Sequence, residues 1–330
     1  MSVKTRRLCF LLALCLLLAG CSAGRDSLPE STSVPGTSPI LPSVDNSGAW
    51  RTREEAILWF RFQDEPYLAQ ESRPIQQLTG QSYEMALLTA LFAGPGIQHV
   101  ELNSPFAQGT RVISATKQGR CLQVTLSREF LNGLSDEPED WRSDPTWQLE
   151  LPLRRRLAMQ SLVATITENC DVDEVVVFVE QDTDDAGSMR LPQSWFMEDS
   201  ESGALAGPQT RDDACLLTPT VTGEAIMACL RQRNWQRLYL YIASGSEAGA
   251  SELTYQDFVS TMQALPALMS YGLSGCSVNM DGLEAILTVS IQLRRSSGQL
   301  LDLSGRILRL QRDSGIWKVT LQDLTGWMED

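Results

Sequence analysis

An unbroken apolar run from Leu8 to Leu18, preceded by Lys4, Arg6 and Arg7, constrains this chain before any fold is considered. Eleven residues are too few to span a bilayer as a stable helix, and the positive flank followed by a short apolar core is the pattern of a secretory signal peptide. Residues 1–20 therefore read as a leader that sends the rest out of the cytoplasm. Composition sharpens this. Of 330 residues, 41 are Asp or Glu and 27 are Lys or Arg, a formal charge of −14 that repels phosphate backbones, and no basic stripe interleaved with aromatics compensates. Nucleic acid is thus excluded as a partner. The single histidine, His99, excludes a His-built zinc site or a paired-His relay.

The leader ends in Leu18-Ala19-Gly20-Cys21, which resembles the bacterial lipobox, in which small residues admit a peptidase and the cysteine thiol receives diacylglycerol. Cys21 is the expected lipid attachment site, and the protein is expected on the extracytoplasmic face of the cell membrane. Cleavage before Cys21 removes three positive charges and no acid, moving the net charge to −17. Of eight cysteines, Cys121, Cys170, Cys215, Cys229 and Cys276 remain in the folded part, an odd number without C-x-x-C spacing, so buried free thiols are expected rather than a disulfide framework. Residues 21–49, rich in Ser and Pro, read as a lipidated cysteine and disordered tether. As a flexible coil it reaches roughly 30 Å.

Periodicity predicts an α+β chain of two domains, 50–182 and 218–330, joined by an acidic linker over 183–217. In the first, Ala56–Phe62 and Tyr67–Ile75 form a hairpin around Asp64-Glu65-Pro66. Ser82 caps a helix that Gly94-Pro95-Gly96 stops. Strands over 110–116 and 121–126 come next, then an exposed acidic insertion over 132–152. A second helix from about Leu153 to Glu168 carries Met159, Leu162, Val163 and Ile166 at buried-stripe spacing, and Val175–Val179 forms a central strand. The order is a hairpin followed by αββαβ, with helices on one face of a sheet. The second domain opens with helices over 222–230, 235–242 and 255–264. Strands over 273–280, 284–293, 300–310 and 317–321 form an antiparallel meander, with turns at Asp281-Gly282, Ser297-Gly298 and Ser314-Gly315. The linker, which lacks a buried stripe of its own, is expected to be the first site of proteolysis.

Several motifs of the first domain, taken in order, carry a family resemblance. These are Leu91-Phe92-Ala93-Gly94-Pro95, Gly109-Thr110 leading into a strand, Val124-Thr125-Leu126-Ser127 before Glu129-Phe130, and Thr165-Ile166-Thr167-Glu168 before a Val-rich strand. Over about 52–182 the chain resembles the GerMN domain of bacterial sporulation and spore-germination lipoproteins. It departs from the family where Ala107-Gln108 stands in place of Pro-x before Gly109-Thr110, and in its longer acidic segment after Phe130. The resemblance implies a core similar to the ring-building motif of sporulation channel proteins, a protein-interaction fold without known catalysis. The helices-then-meander order and the Gly315-Ile316-Trp317-Lys318-Val319 strand resemble an NTF2-like domain. That fold hosts binding and catalysis alike, so it names no function.

Motifs that could carry chemistry are few. Ser114-Ala-Thr-Lys117 matches S-x-x-K, but on a strand residues three apart face opposite ways, and no S-D-N or K-T-G partner follows. The segment from Asp182 to Gly187 has calcium-loop acids at positions 1 and 3 but Ala186 at 5 and Gln193 at 12. Arg154, Arg155 and Arg156 form the dense basic feature, a candidate interaction patch toward anionic lipid or an acidic partner, with a solvated helix face pairing to the acidic insertion as the plainer reading. No cofactor, metal or catalytic residue is assigned. The sequence predicts a membrane-anchored protein-interaction or assembly module in sporulation or germination, partnered by an envelope protein or by a second copy. An envelope ligand-binding lipoprotein using the C-terminal cone is the alternative. A hydrolase is the third reading.

Overall fold

In a computed structural model, residues 51–181, 187–197, 201, 203–243, 253–326 and 328 are described. The leader, Cys21, the tether and most of the Asp182–Gly187 segment lie outside them. The hairpin forms as expected: β1 (Arg51–Phe62) pairs antiparallel with β2 (Leu68–Gln77), and a two-residue β3 (Leu102–Asn103) joins β1 at Arg61 and Phe62, giving the order β2-β1-β3. Helix α1 (Tyr83–Phe92) starts where the Ser82 side chain accepts the Met85 N–H, and the chain leaves it through Gly94 at φ +86°. A second sheet holds β4 (Val112–Gln118), β5 (Cys121–Leu126), β6 (Glu174–Glu180) and β7 (Ser188–Arg190) in that spatial order. β5 and β6 are parallel, which requires a crossover, and helix α2 (Pro145–Asn169) supplies it.

Helix α2 starts earlier than the expected Leu153. Asp144 accepts the Thr146 N–H and Pro145 occupies the first turn, a start signal that outweighs Pro152, which sits inside the helix although it cannot donate to the Gln148 carbonyl. The acidic insertion is accordingly a loop over 132–144 followed by two helical turns.

Helix α1 packs on β2 and β4, and α2 on β1 and β6, so the hairpin sheet covers the side of the helices that the four-stranded sheet does not. Leu58, Phe60, Leu87, Leu91, Leu162, Ile166, Val124 and Val177 fill this interior. Each such side chain contributes about 1.5–3 kcal/mol on burial. Beyond β3 no described strand lies beside the edge of β1, and α2 satisfies it with side chains instead. Thr165 Oγ1 accepts the Trp59 N–H at 3.1 Å, Ser161 donates to the Trp59 carbonyl, and Asn169 both accepts the Ile57 N–H at 3.0 Å and donates to its carbonyl at 2.7 Å. These three residues are spaced four apart, so one helix stripe serves as a strand.

The stretch expected to be a connector is packed in its described residues. Leu191, Phe196, Ala206, Cys215, Leu216 and Leu217 are buried, Gln209 bridges to Val175, and Leu216 bridges to Leu68. Next come α3 (Pro219–Gln232), α4 (Trp235–Tyr239) and α5 (Tyr255–Ala264), then β8 (Ala267–Val278), β9 (Glu284–Arg294), β10 (Leu300–Asp313) and β11 (Ile316–Lys318), and α6 (Leu321–Gly326). The last four strands form an antiparallel meander in the order β11-β10-β9-β8, as expected, with β8 beginning directly after Pro266 rather than at Leu273. Alternate residues of β9, from Ala285 to Leu293, are buried beneath α3. There Gly223 allows close approach, since a Cβ would meet the Leu273 and Leu287 side chains at under 3 Å.

One continuous apolar core runs through both parts of residues 51–328. Gly315, at φ +89°, lies so close to β2 that a Cβ would collide with the Gln70 carbonyl oxygen. Lys318, nearly fully buried, bonds both Glu101 carboxylate oxygens at 2.8 Å. Replacing Thr165 by Val keeps the shape and strands the buried Trp59 N–H, so Thr165→Val is expected to cost about 1–3 kcal/mol in urea unfolding. A loss under about 0.5 kcal/mol would show that the helix does not complete the β1 edge.

Candidate functional site

The run Ala56–Phe62 is apolar except for Arg61, and this exception builds the site. Arg61 is buried, and its guanidinium donates to the Asp64 and Glu65 carbonyls at 2.8 and 3.0 Å and to Glu150 at 2.6 Å. It thereby fixes the hairpin tip against α2. Beside it opens a cleft of about 590 Å³ between the tip, the end of α1, the 103–109 loop and the insertion, faced by Arg61, Asp64, Asn103, Phe106, Asp136 and Arg154.

Arg154 and Arg155 belong to this construction. Arg154 bonds Asp136 at 2.8 Å and Glu150 at 2.6 Å and lies over the Trp147 ring. Arg155 stands 3.7 Å from Glu137 and 5.6 Å from the centre of the Trp195 ring. Arg156 is exposed. Two of the three arginines thus face the acidic insertion of their own chain, which is the plainer of the two expectations. Asp136 and Arg154 pair within one copy.

The remaining motifs fall on the scaffold. Ser114 and Lys117 are exposed on β4, and Lys117 pairs with Asp171 at 3.8 Å. No disulfide joins the five cysteines of the described residues, and burial pushes Cys215 up to about 12 and Cys229 to about 11, which keeps these two thiols protonated. Among the described residues no His, Cys, Asp and Glu group of three could hold a metal ion, and no helix is long and apolar enough to cross a membrane.

Two features were not read from the sequence. Glu71, fully buried on β2, accepts the Gly96 N–H at 2.9 Å, and its neighbour Arg73 donates to the Ala90 and Gly94 carbonyls. Together they tie the Gly94-Pro95-Gly96 helix stop to the hairpin. The loop so held presents Ile97 at 96% and Val100 at 82% exposure. The second is Glu65, which reaches Arg237 and Tyr241 in the C-terminal part. The available signal for the first was a charge pair, Glu71 and Arg73, at alternate positions of one strand face.

The Arg61 network sets an acid response. Burial alone would raise the Glu150 and Asp136 pKa values, but hydrogen bonds from Arg61 and Arg154 to Glu150, and from Arg154 to Asp136, hold both below the usual carboxylate range. Their stabilisation is therefore full above the unfolded value of about 4 and is lost as pH falls through the lowered folded values. Melting temperatures from pH 7 to 3 should decline less steeply at the acid end for Glu150→Gln than for the native chain. An unchanged acid limb would count against this network.

The family model described as Germane, sporulation and spore germination, matches residues 59–185. No curated protein sequence matches the chain. Among solved structures, it is similar to the tandem GerMN domains of the sporulation protein GerM from Bacillus subtilis, at 14% identity and a TM-score of 0.30, over 55% of this chain and 49% of that one. The chain thus spans about half the length of that structure. It is also similar to a Clostridium perfringens protein classed as a lipoprotein, at 19% identity and a TM-score of 0.24, over 40% of this chain and 78% of that one. Residues 59–185, which carry the Arg61 cleft and the Ile97–Val100 loop, are thus the part of the chain that is similar to the Germane family of sporulation and spore germination.

Proposed function

We propose that this chain is an extracytoplasmic lipoprotein, anchored through diacylglycerol on Cys21, whose Germane module docks a protein partner of an envelope complex in sporulation or spore germination. The observation that carries the docking reading is the loop at Ile97 and Val100. Two branched apolar side chains stand almost wholly in water on a turn tied down by a buried carboxylate and an arginine. Ordering entropy has already been spent on that loop in the free protein, so a partner gains the apolar contact without it. The charged groups around the cleft support binding over catalysis, since they are engaged in holding elements together. The interior of the C-terminal meander is filled by Leu287, Val289 and Ile291 under α3, which favours a docking role over ligand capture inside that cone.

Two substitutions separate the anchor from the docking surface. In a spore-forming host, Cys21→Ser should lose acyl labelling, leave the membrane fraction and lower spore yield or germination. Ile97→Asp with Val100→Asp should keep the labelling, the membrane fraction and the melting temperature, yet lose the same phenotype. Unchanged labelling of Cys21→Ser would refute the anchor, and full function of the double variant would refute the docking loop.

A further inference from the structure

In a chain with 41 carboxylates and 27 Lys and Arg, cleft-facing arginines are expected to find acids, as Arg61 and Arg154 do in the first cleft. In a second concavity two arginines, Arg233 and Arg294, pair with no described acid. The concavity measures about 760 Å³ and lies where the end of α3, the α5–β8 connection and the β9–β10 turn come together. Arg233, Arg294 and Arg295 line it with Ser296 and Ser297, and no described Asp or Glu does. Arg233 and Arg294 are exposed, and neither forms an ion pair with another described residue. They are far apart in sequence and are brought together by the register in which Arg294 ends β9 opposite Ala267 of β8 and Leu300 of β10.

The backbone adds an independent observation. Arg233 caps α3 in the left-handed region, at φ 55° and ψ 34°, where glycine or asparagine is the unstrained choice. An arginine at that position is held against its conformational preference, which is the kind of strain that marks functional sites.

We propose that this concavity binds a phosphate-bearing ligand. Two guanidinium forks and two serine hydroxyls offer more donors than the two oxygens of a carboxylate accept, whereas a phosphate presents three or four oxygens to them. Arginine also favours this geometry over lysine because its planar fork bonds phosphate bidentately. The volume exceeds that of a phosphate alone and leaves room for the glycerol or sugar that carries it. The ligand is thus a phosphate ester, from a lipid headgroup or from a soluble molecule.

The test uses the full chain and an arginine-specific reagent, phenylglyoxal, with the labelled positions read by mass spectrometry. In detergent, inorganic pyrophosphate should slow labelling of Arg233 and Arg294 at least fivefold and leave the exposed Arg111 unaffected. In a second arm the protein is placed in phosphatidylcholine vesicles with and without phosphatidylglycerol. Protection by pyrophosphate alone assigns a soluble ester, and protection by phosphatidylglycerol assigns a headgroup. Arg233→Gly should weaken binding about tenfold, the effect of losing a charge-assisted pair. Its melting temperature should hold or rise, because glycine suits the left-handed cap. No protection in either arm, protection reproduced by sodium chloride at equal ionic strength, or unaltered binding by Arg233→Gly would overturn the proposal.

Discussion

A carboxylate buried at the tip of the first hairpin ties the N-terminal and C-terminal parts of this fold. Glu65 is 7% exposed, and moving its charge out of water costs several kcal/mol unless it is paired and hydrogen-bonded. Arg237 answers with contacts of 2.6 and 2.7 Å to the two oxygens, and the Tyr241 hydroxyl donates at 2.9 Å. Burial and then the neighbouring Glu65 charge push the Tyr241 pKa up, so the phenol remains a donor. Burial works against the Arg237 charge, and Glu65 outweighs it. Arg61 holds the same tip from the other side through the Glu65 carbonyl.

From this anchor the remaining contacts between the two parts are set by position. Arg237 lies on α4, whose Asn234 cap comes directly after the left-handed Arg233, so the turn that ends α3 also aims the residue that meets Glu65. Tyr241 packs its ring 5.5 Å from Phe62, and the next residue, Ile242, bridges to Val319 beside β11. The β10–β11 turn then seats Gly315 on β2, and Lys318 reaches Glu101. The Glu65 carboxylate, the Tyr241 hydroxyl and the Lys318 ammonium find partners between these distant elements, as the Trp59 and Ile57 backbone groups do along the β1 edge in Ser161, Thr165 and Asn169. Each such contact adds specificity because its partner, once displaced by a slip, would be left unpaired in a low-dielectric interior.

Much of this was legible in the sequence wherever the signal was local. The Ser82 cap, the turn glycines at 282, 298 and 315, the stripe from Met159 to Ile166 and the Val-rich central strand each announce themselves within a few residues. The pairing of Arg154 and Arg155 with Asp136 and Glu137 was also within reach, because the acids lie just upstream. The beginning of α2 was not, since Pro152 is a stronger local stop signal than Asp144 is a start signal. The short β3 and β7 carry too few residues for periodicity to register. Glu65 and Arg237 stand 172 residues apart, and no spacing rule connects them. The same holds for Arg233 and Arg294, whose meeting depends on strand register.

Held at Glu65, residues 51–328 are expected to behave as one cooperative unit. Native-state hydrogen exchange across a denaturant series measures this directly. The β6 amides Val176–Val179 and the β9 amides Leu287–Ile291 should share one opening free energy and one denaturant dependence. In Glu65→Gln the β9 amides should exchange through an additional, lower-energy opening. If in the native chain the β9 amides already open at lower free energy while β6 stays protected, the two parts unfold separately and a single unit held at Glu65 is contradicted.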